Sequence, residues 1–173
     1  SGHIQLDCGN DYNDFDENKL LNNYKKINFI DYQGSHWAPH LIHKEYWDKI
    51  GGFSEEFNPG IGSDPDLNMK LWNSGVRIFK GLNDFKVYHF GSISLRKKIE
   101  LKRNKGAKTF LLKWGITPVF FVKYYLRGGV FEKGIIKCKK FDEPLKEPIK
   151  DIFYFINLLI CKAKLIYLKI FRF

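Results

Sequence analysis

The stretch GGFSEEFNPGIGSDPDLNMKLWNSG, residues 51–75, carries the densest signal in the chain. Gly51 and Gly52 close the apolar segment before them, as glycine does at helix ends. A polar loop with two further glycines follows. A helix then opens with Pro65 at its first position and stops at Gly75. Leu67, Leu71 and Trp72 recur at helical spacing and should face a core. Asp64 falls at the N-cap position, where a side-chain oxygen can accept from a free backbone N–H. Asp66 falls in the first turn, where the helix dipole favours negative charge. Both acids are thereby accounted for as helix starters. A second reading is compatible with the first. A carboxylate held still by that turn, beside glycines that let a ligand approach the backbone (Gly60 and Gly62), can act as a general base toward a hydroxyl.

Upstream, residues 4–7 read as a short strand ending in Asp7, followed by a polar loop over 8–18. KLLNNYKK reads as a helix capped by Asp16, with Leu20, Leu21 and Tyr24 on one face. INFIDYQG reads as a strand, and a second helix runs from near His43 to Gly51. Downstream, VRIFKG and FKVYHFG read as strands. Leu95 to Gly106 is basic and helix-like, and TFLLKWG and ITPVFFVKYYLRGG continue in that manner. The alternation favours an α/β layer over residues 1–95, then a basic helical extension over 96–136. Residues 137–150, with two prolines, read as a charged linker, and 151–173 as an apolar and basic C-terminal helix.

The 173 residues suit one domain or one lobe of a larger one, and the opening Ser-Gly-His without Met suggests a chain cut from something longer. With 44% apolar and 17% aromatic residues the composition excludes a disordered chain. Cys8, Cys138 and Cys161 form no CxxC pattern, which points to a reduced, cytosolic setting without a thiolate zinc site. The net charge of +10 is uneven: residues 1–90 hold 9 Lys/Arg against 13 Asp/Glu, and residues 91–173 hold 20 against 6. Such a basic half calls for an anionic partner. No apolar run reaches the length of a spanning helix.

IGGFSEEF followed by SDPDLNMKLWNSG resembles the signature of family 2 glycosyltransferases, which have the GT-A (nucleotide-diphospho-sugar transferase) fold. That family shows a Gly-Gly-Phe-Asp-Glu stretch, an acid-Asp pair, a further acid two residues on, and a helix ending in glycine. The resemblance extends through VYHFGSISL and TFLLKWG, covering roughly residues 37 to 115. Ser54 and Ser63 depart from it, each standing where the family usually has an acid.

The resemblance implies a partial GT-A-like layer and an inverting transfer of sugar from a nucleotide-sugar donor to a carbohydrate or lipid-linked acceptor. Asp64 would be the catalytic base. Glu55, Glu56 and Asp66 would shape the substrate site, with Asp66 also supporting the helix start. Trp37 would offer an aromatic face to a sugar, while His40 and His43 read as surface histidines. His89 would sit near a divalent metal, Mn²⁺ or Mg²⁺, and the diphosphate, or else be a half-buried histidine at a strand end. Asp7, in IQLDCGND, would be the remnant of a DxD metal motif, or simply the end of a strand before a turn. Arg96 and Lys97 would contact phosphate, or form a solvated face. The donor-binding half of such an enzyme is not evident, so the chain reads as the acceptor-side portion of a longer transferase.

Residues 151–173 mix large apolar side chains with Lys162, Lys164, Lys169 and Arg172. Such a segment can lie in a bilayer interface, which would place the protein at the inner face of a membrane with anionic lipid. An ordinary packed helix or a dimer contact is the alternative. A non-catalytic binding or tethering module built on the same half-fold stays open as a second reading. Nucleic-acid binding is disfavoured, because no such motif is present and the aromatics fall in core-like apolar runs.

Overall fold

The computed structural model describes residues 6–26, 30–58, 60–90, 103–132, 135–137 and 139–171. Arg96 and Lys97 lie outside these residues. The first half contains α1 (Glu17–Asn23), β1 (Tyr32–Gln33), α2 (Lys44–Ile50), α3 (Ser63–Asn73) and β2 (Lys80–Gly81). The second half contains α4 (Arg103–Trp114), α5 (Pro118–Phe121), which runs into a π-turn over Val122–Leu126, then β3 (Val130–Glu132), β4 (Ile135–Lys137) and α6 (Ile152–Ile170).

Local signals place most helix ends. Asp16 caps α1 through the Lys19 amide, His43 caps α2 through the Glu45 amide, and Gly51 ends α2 at a left-handed φ of 69°. None of the α1 residues is buried, so its expected apolar face meets no core. The start of α3 differs from the sequence reading. Gly62, at φ 89°, is its N-cap, and the helix begins at Ser63. Asp64 is therefore the second helical residue and Pro65 the third. Proline is tolerated there because the first amides of a helix have no intrahelical partner.

The fold is mixed, with helices predominating. Its strands form two separate antiparallel pairs, β1 with β2 and β3 with β4. Tyr32 faces Gly81 and Gln33 faces Lys80. No parallel strand–helix–strand unit occurs among the described residues, so the expected α/β layering is not drawn by these strands. The physical reason is local. Gly34, at φ 80°, turns the chain away after two residues of β1 and leaves VRIFKG a partner for two residues only. Residues 6–7 and 85–90, also expected as strand, run as irregular chain.

Residues 139–149 are not a free linker. Gln33 N–H donates to Lys139 O (2.9 Å) and Phe141 N–H to Asp31 O (2.8 Å), so this segment lines the other side of β1. Leu145 is buried, and its amide donates to Arg77 O (2.8 Å).

One core gathers Phe57, Leu67, Leu71 and Trp72 from the first half with Phe110, Phe121, Leu126, Leu145, Tyr154 and Cys161 from the second. Leu67, Leu71 and Trp72 thus face inward as their spacing implies. A close backbone approach joins the glycine loop to α4. A Cβ on Gly106 would lie 2.1 Å from Ile61 O, and one on Gly62 would lie 2.9 Å from the Phe57 ring and 3.1 Å from Gly106 O. The space between them, lined by Phe57, Ile61, Gly106 and Thr109 among others, is about 10 Å³, room for a water at most. Gly62 therefore lets the loop approach the protein's own helix, not a ligand.

Gly106→Ala should lower the urea midpoint despite alanine's better helix propensity. Propensity gives up to about 1 kcal/mol, whereas forcing a methyl against a fixed carbonyl costs about 1–3 kcal/mol. An unchanged or raised midpoint would show that this contact is not tight.

Candidate active site

Asp66 anchors the region. It lies on the inward side of α3 and is fully buried. Its carboxylate accepts from Trp114 Nε1 (2.8 Å) and Ser54 Oγ (2.6 Å) and pairs with Lys113 Nζ (2.9 Å). Lys113 also pairs with Glu56 (2.5 Å) and donates to Ser54 Oγ (3.0 Å). Burial works against the Lys113 charge, but the Glu56 and Asp66 carboxylates outweigh it and hold the ammonium above its usual value. A buried carboxylate is costly unless it is paired and bonded. Three donors from two separate segments meet that requirement and tie the 54–57 turn, α3 and α4 together. The expectation that Asp66 binds substrate is therefore corrected: its oxygens are engaged by the protein and sealed from solvent. Glu56 is occupied by the same lysine, while Glu55 is exposed beside it. Lys70 of α3 reaches Gly52 O and ties the loop's first glycines to the helix.

Asp64, two residues before Asp66, is half-buried at the edge of the fold, neither sealed in the core nor on open surface. Burial pushes its carboxyl above the ordinary range; His40 and a hydrogen bond from the Ala38 backbone oppose that rise without cancelling it. His40 is pushed down, chiefly by burial, with Asp64 opposing. It is half-buried, not the surface histidine expected from the sequence, whereas His43 is exposed as expected. Asn68, buried on α3, donates through Nδ2 to Asp64 O (2.7 Å) and His36 O (3.0 Å) and lies 3.4 Å from His40 Nε2. His36 is held down to about 4, first by burial and against its bond to Gly34 O (2.8 Å). Trp37 is half-buried, its ring 4.6 Å from that of His36.

A cavity of about 350 Å³ opens beside this group, lined by Ala38, His40, Ile42, Lys44, Trp47, Phe53 and Leu67. Its volume lies within the roughly 300–1,000 Å³ usual for small-molecule sites. Trp47 and Phe53 form an edge-to-face pair with centroids 5.6 Å apart on its rim, and both remain partly exposed. Ala38 and His40 thus belong both to the cavity wall and to the surroundings of Asp64. A carboxylate made more basic by burial, an imidazole made less basic by burial and an aromatic wall together suit a hydroxyl-bearing ligand with an apolar face.

Asp7 and His89 sit on loops that meet. Cys8 N–H donates to Tyr88 Oη (3.0 Å), which donates to Gly9 O (3.1 Å). Phe15 packs on Tyr88 and Phe90 at 5.2 and 5.3 Å. Both Asp7 and His89 are exposed, and Asp7 accepts from Gly9 N–H (3.3 Å). No group of three His, Cys, Asp or Glu gathers for a metal among the described residues. Asp7 and His89 thus bring one carboxylate and one imidazole to adjoining loops.

The sequence reading missed Asn68, Lys113 and Trp114. Asn68 had a faint signal, an asparagine amid the apolar positions of a helix where it forms poorly. The other two become partners only through the return of α4. No protein-family model, curated protein or solved structure matches the chain.

Replacing Asp66 by Ala should cost about 3–5 kcal/mol of stability. Lys113→Met should be clearly destabilising alone yet nearly neutral in an Asp66→Asn background, because the carboxylate it compensates is then gone. Additive losses in chemical denaturation would contradict the pairing.

Proposed function

We propose that this chain is the acceptor side of a longer, inverting, family 2-like glycosyltransferase with a GT-A-like layer. It moves a sugar from a nucleotide-sugar to an acceptor hydroxyl at the cytoplasmic side of a membrane. The observation that carries the reading is Asp64: a half-buried carboxyl, made more basic by burial, acted on by His40 and the Ala38 backbone, two residues that also line a cavity with an aromatic wall. The order and spacing of GGF, the SDPD acids and the VYHFGS segment support it.

In this reading the acceptor lies in the cavity against Trp47 and Phe53, with its hydroxyl toward Asp64. The carboxylate takes the hydroxyl proton as the oxygen attacks the anomeric carbon of the donor. His40, made less basic by burial, orients the hydroxyl beside Asp64. Asp66 acts at one remove, holding the first turn of α3 so that Asp64 stays aimed. Asp7 and His89 would hold a divalent cation, which when bound supplies stabilisation of the leaving diphosphate. The departures at Ser54 and Ser63 favour a second reading, a module that binds acceptor without turnover.

Methyl glycosides tested by saturation-transfer NMR on this chain should show contact with the aromatic wall, lost in Trp47→Ala. Absence of contact for every sugar would overturn the cavity assignment. In the full transferase, Asp64→Asn should lower nucleoside diphosphate release at least about a hundredfold. Because the folded state holds the Asp64 proton more tightly than the unfolded chain, this residue's contribution to stability falls as pH rises through its raised pKa. Asp64→Asn should therefore leave the melting temperature at pH 7 unchanged or higher. Normal turnover would remove Asp64 as the base; a sugar-binding chain whose full enzyme shows no turnover would favour the binding module.

A further inference from the structure

The C-terminal helix presents two unlike surfaces. Tyr154 and Cys161 are buried against α5 and its neighbours, and Leu158, Leu165 and Leu168 are partly buried on the same stripe. The opposite surface is exposed and almost wholly apolar. Ile152, Ile156, Leu159, Ile166, Tyr167 and Ile170 are 46–67% exposed. At about 3.6 residues per turn, the exposed apolar arc covers roughly 160° of the helix and holds no charge. Lys162 and Lys169 border it on one side and Lys164 on the other, all three exposed. The lysines therefore stand between the buried stripe and the apolar arc, on both flanks.

We propose that this face of α6 docks in the interface of an anionic lipid bilayer, with the helix lying in the membrane plane. The apolar arc enters the acyl boundary. The lysines on either flank reach headgroup height, their stems along the apolar surface and their ammonium groups on lipid phosphates or carboxylates. The body of the protein, attached along the buried stripe, stands on the aqueous side. Charge complementarity selects this occupant. No acid lies between residues 152 and 170, so a second copy of the same face offers the lysines no counter-charge. An anionic surface does, and the remaining basic residues of the second half add to the attraction. A spanning orientation is not available, since no helix among the described residues is long and apolar enough to cross a membrane. The inference deepens the membrane placement of the proposed function but uses none of the residues of its sugar site, so loss of vesicle binding and loss of sugar contact are separable.

The test is co-sedimentation of the full chain with vesicles of phosphatidylcholine alone or with about a third phosphatidylserine, at low and high salt. Binding to the anionic vesicles should exceed binding to neutral ones at least about tenfold and weaken as salt rises. Ile156→Asp with Ile166→Asp should abolish binding, and Lys162→Glu with Lys164→Glu and Lys169→Glu should remove the lipid preference. These positions are exposed, so circular dichroism and melting should stay unchanged. No sedimentation with anionic vesicles by a folded wild-type chain would overturn the proposal. So would a dimer in size-exclusion chromatography, lost in the isoleucine variant and unaccompanied by vesicle binding, because the face would then belong to a second copy.

Discussion

A fully buried carboxylate cannot be left alone in a protein interior, and Asp66 is the charge around which this fold arranges itself. Its oxygens gather an indole N–H from Trp114, a hydroxyl from Ser54 and the ammonium of Lys113. Those donors lie on the 54–57 turn and on α4, with Ser54 and Lys113 59 residues apart along the chain. Satisfying one buried charge therefore fixes where the acidic loop, α3 and α4 meet. The packing of Gly62 against Gly106 belongs to the same junction, since only glycine allows the two backbones so close. Asp64, one short step along α3, inherits its position from that junction.

The division between the two aspartates follows from helix geometry. Residues two apart on a helix point in different directions. Asp66 turns inward and is consumed by structure, while Asp64 turns toward His40 and the Ala38 backbone at the rim of the cavity. An ionised Asp64 at that half-buried place costs stability, since burial raises its pKa. A residue kept at such a cost is a functional candidate with a stated physical reason. Asp66, by contrast, is fully explained by the bonds it makes.

The sequence was legible where the chain argues with its near neighbours. The stop of α2 at Gly51, its start near His43, the inward row of Leu67, Leu71 and Trp72 and the C-terminal helix all rest on contacts within a few residues. It was illegible where distant segments decide. The expected strands of VRIFKG and FKVYHFG shrink to Lys80–Gly81 because β1 offers two residues before Gly34 turns. The presumed linker is recruited by β1 and by Leu145. In the site, the sequence offered Trp37 as the aromatic face, while the cavity is lined by Trp47 and Phe53; the burial of His40 and the Lys113 partner of Asp66 were not legible, because only the return of other segments creates them. The charge halves were legible, and on α6 the structure adds which side of the helix the lysines border.

The most direct measurement of the central claim is a carboxyl-detected NMR titration of Asp64 in the wild-type chain and in Asp66→Asn. The wild-type carboxyl should titrate above the usual aspartate range, and loosening the junction should bring it back toward that range. A wild-type Asp64 titrating at or below an ordinary exposed aspartate would contradict the account.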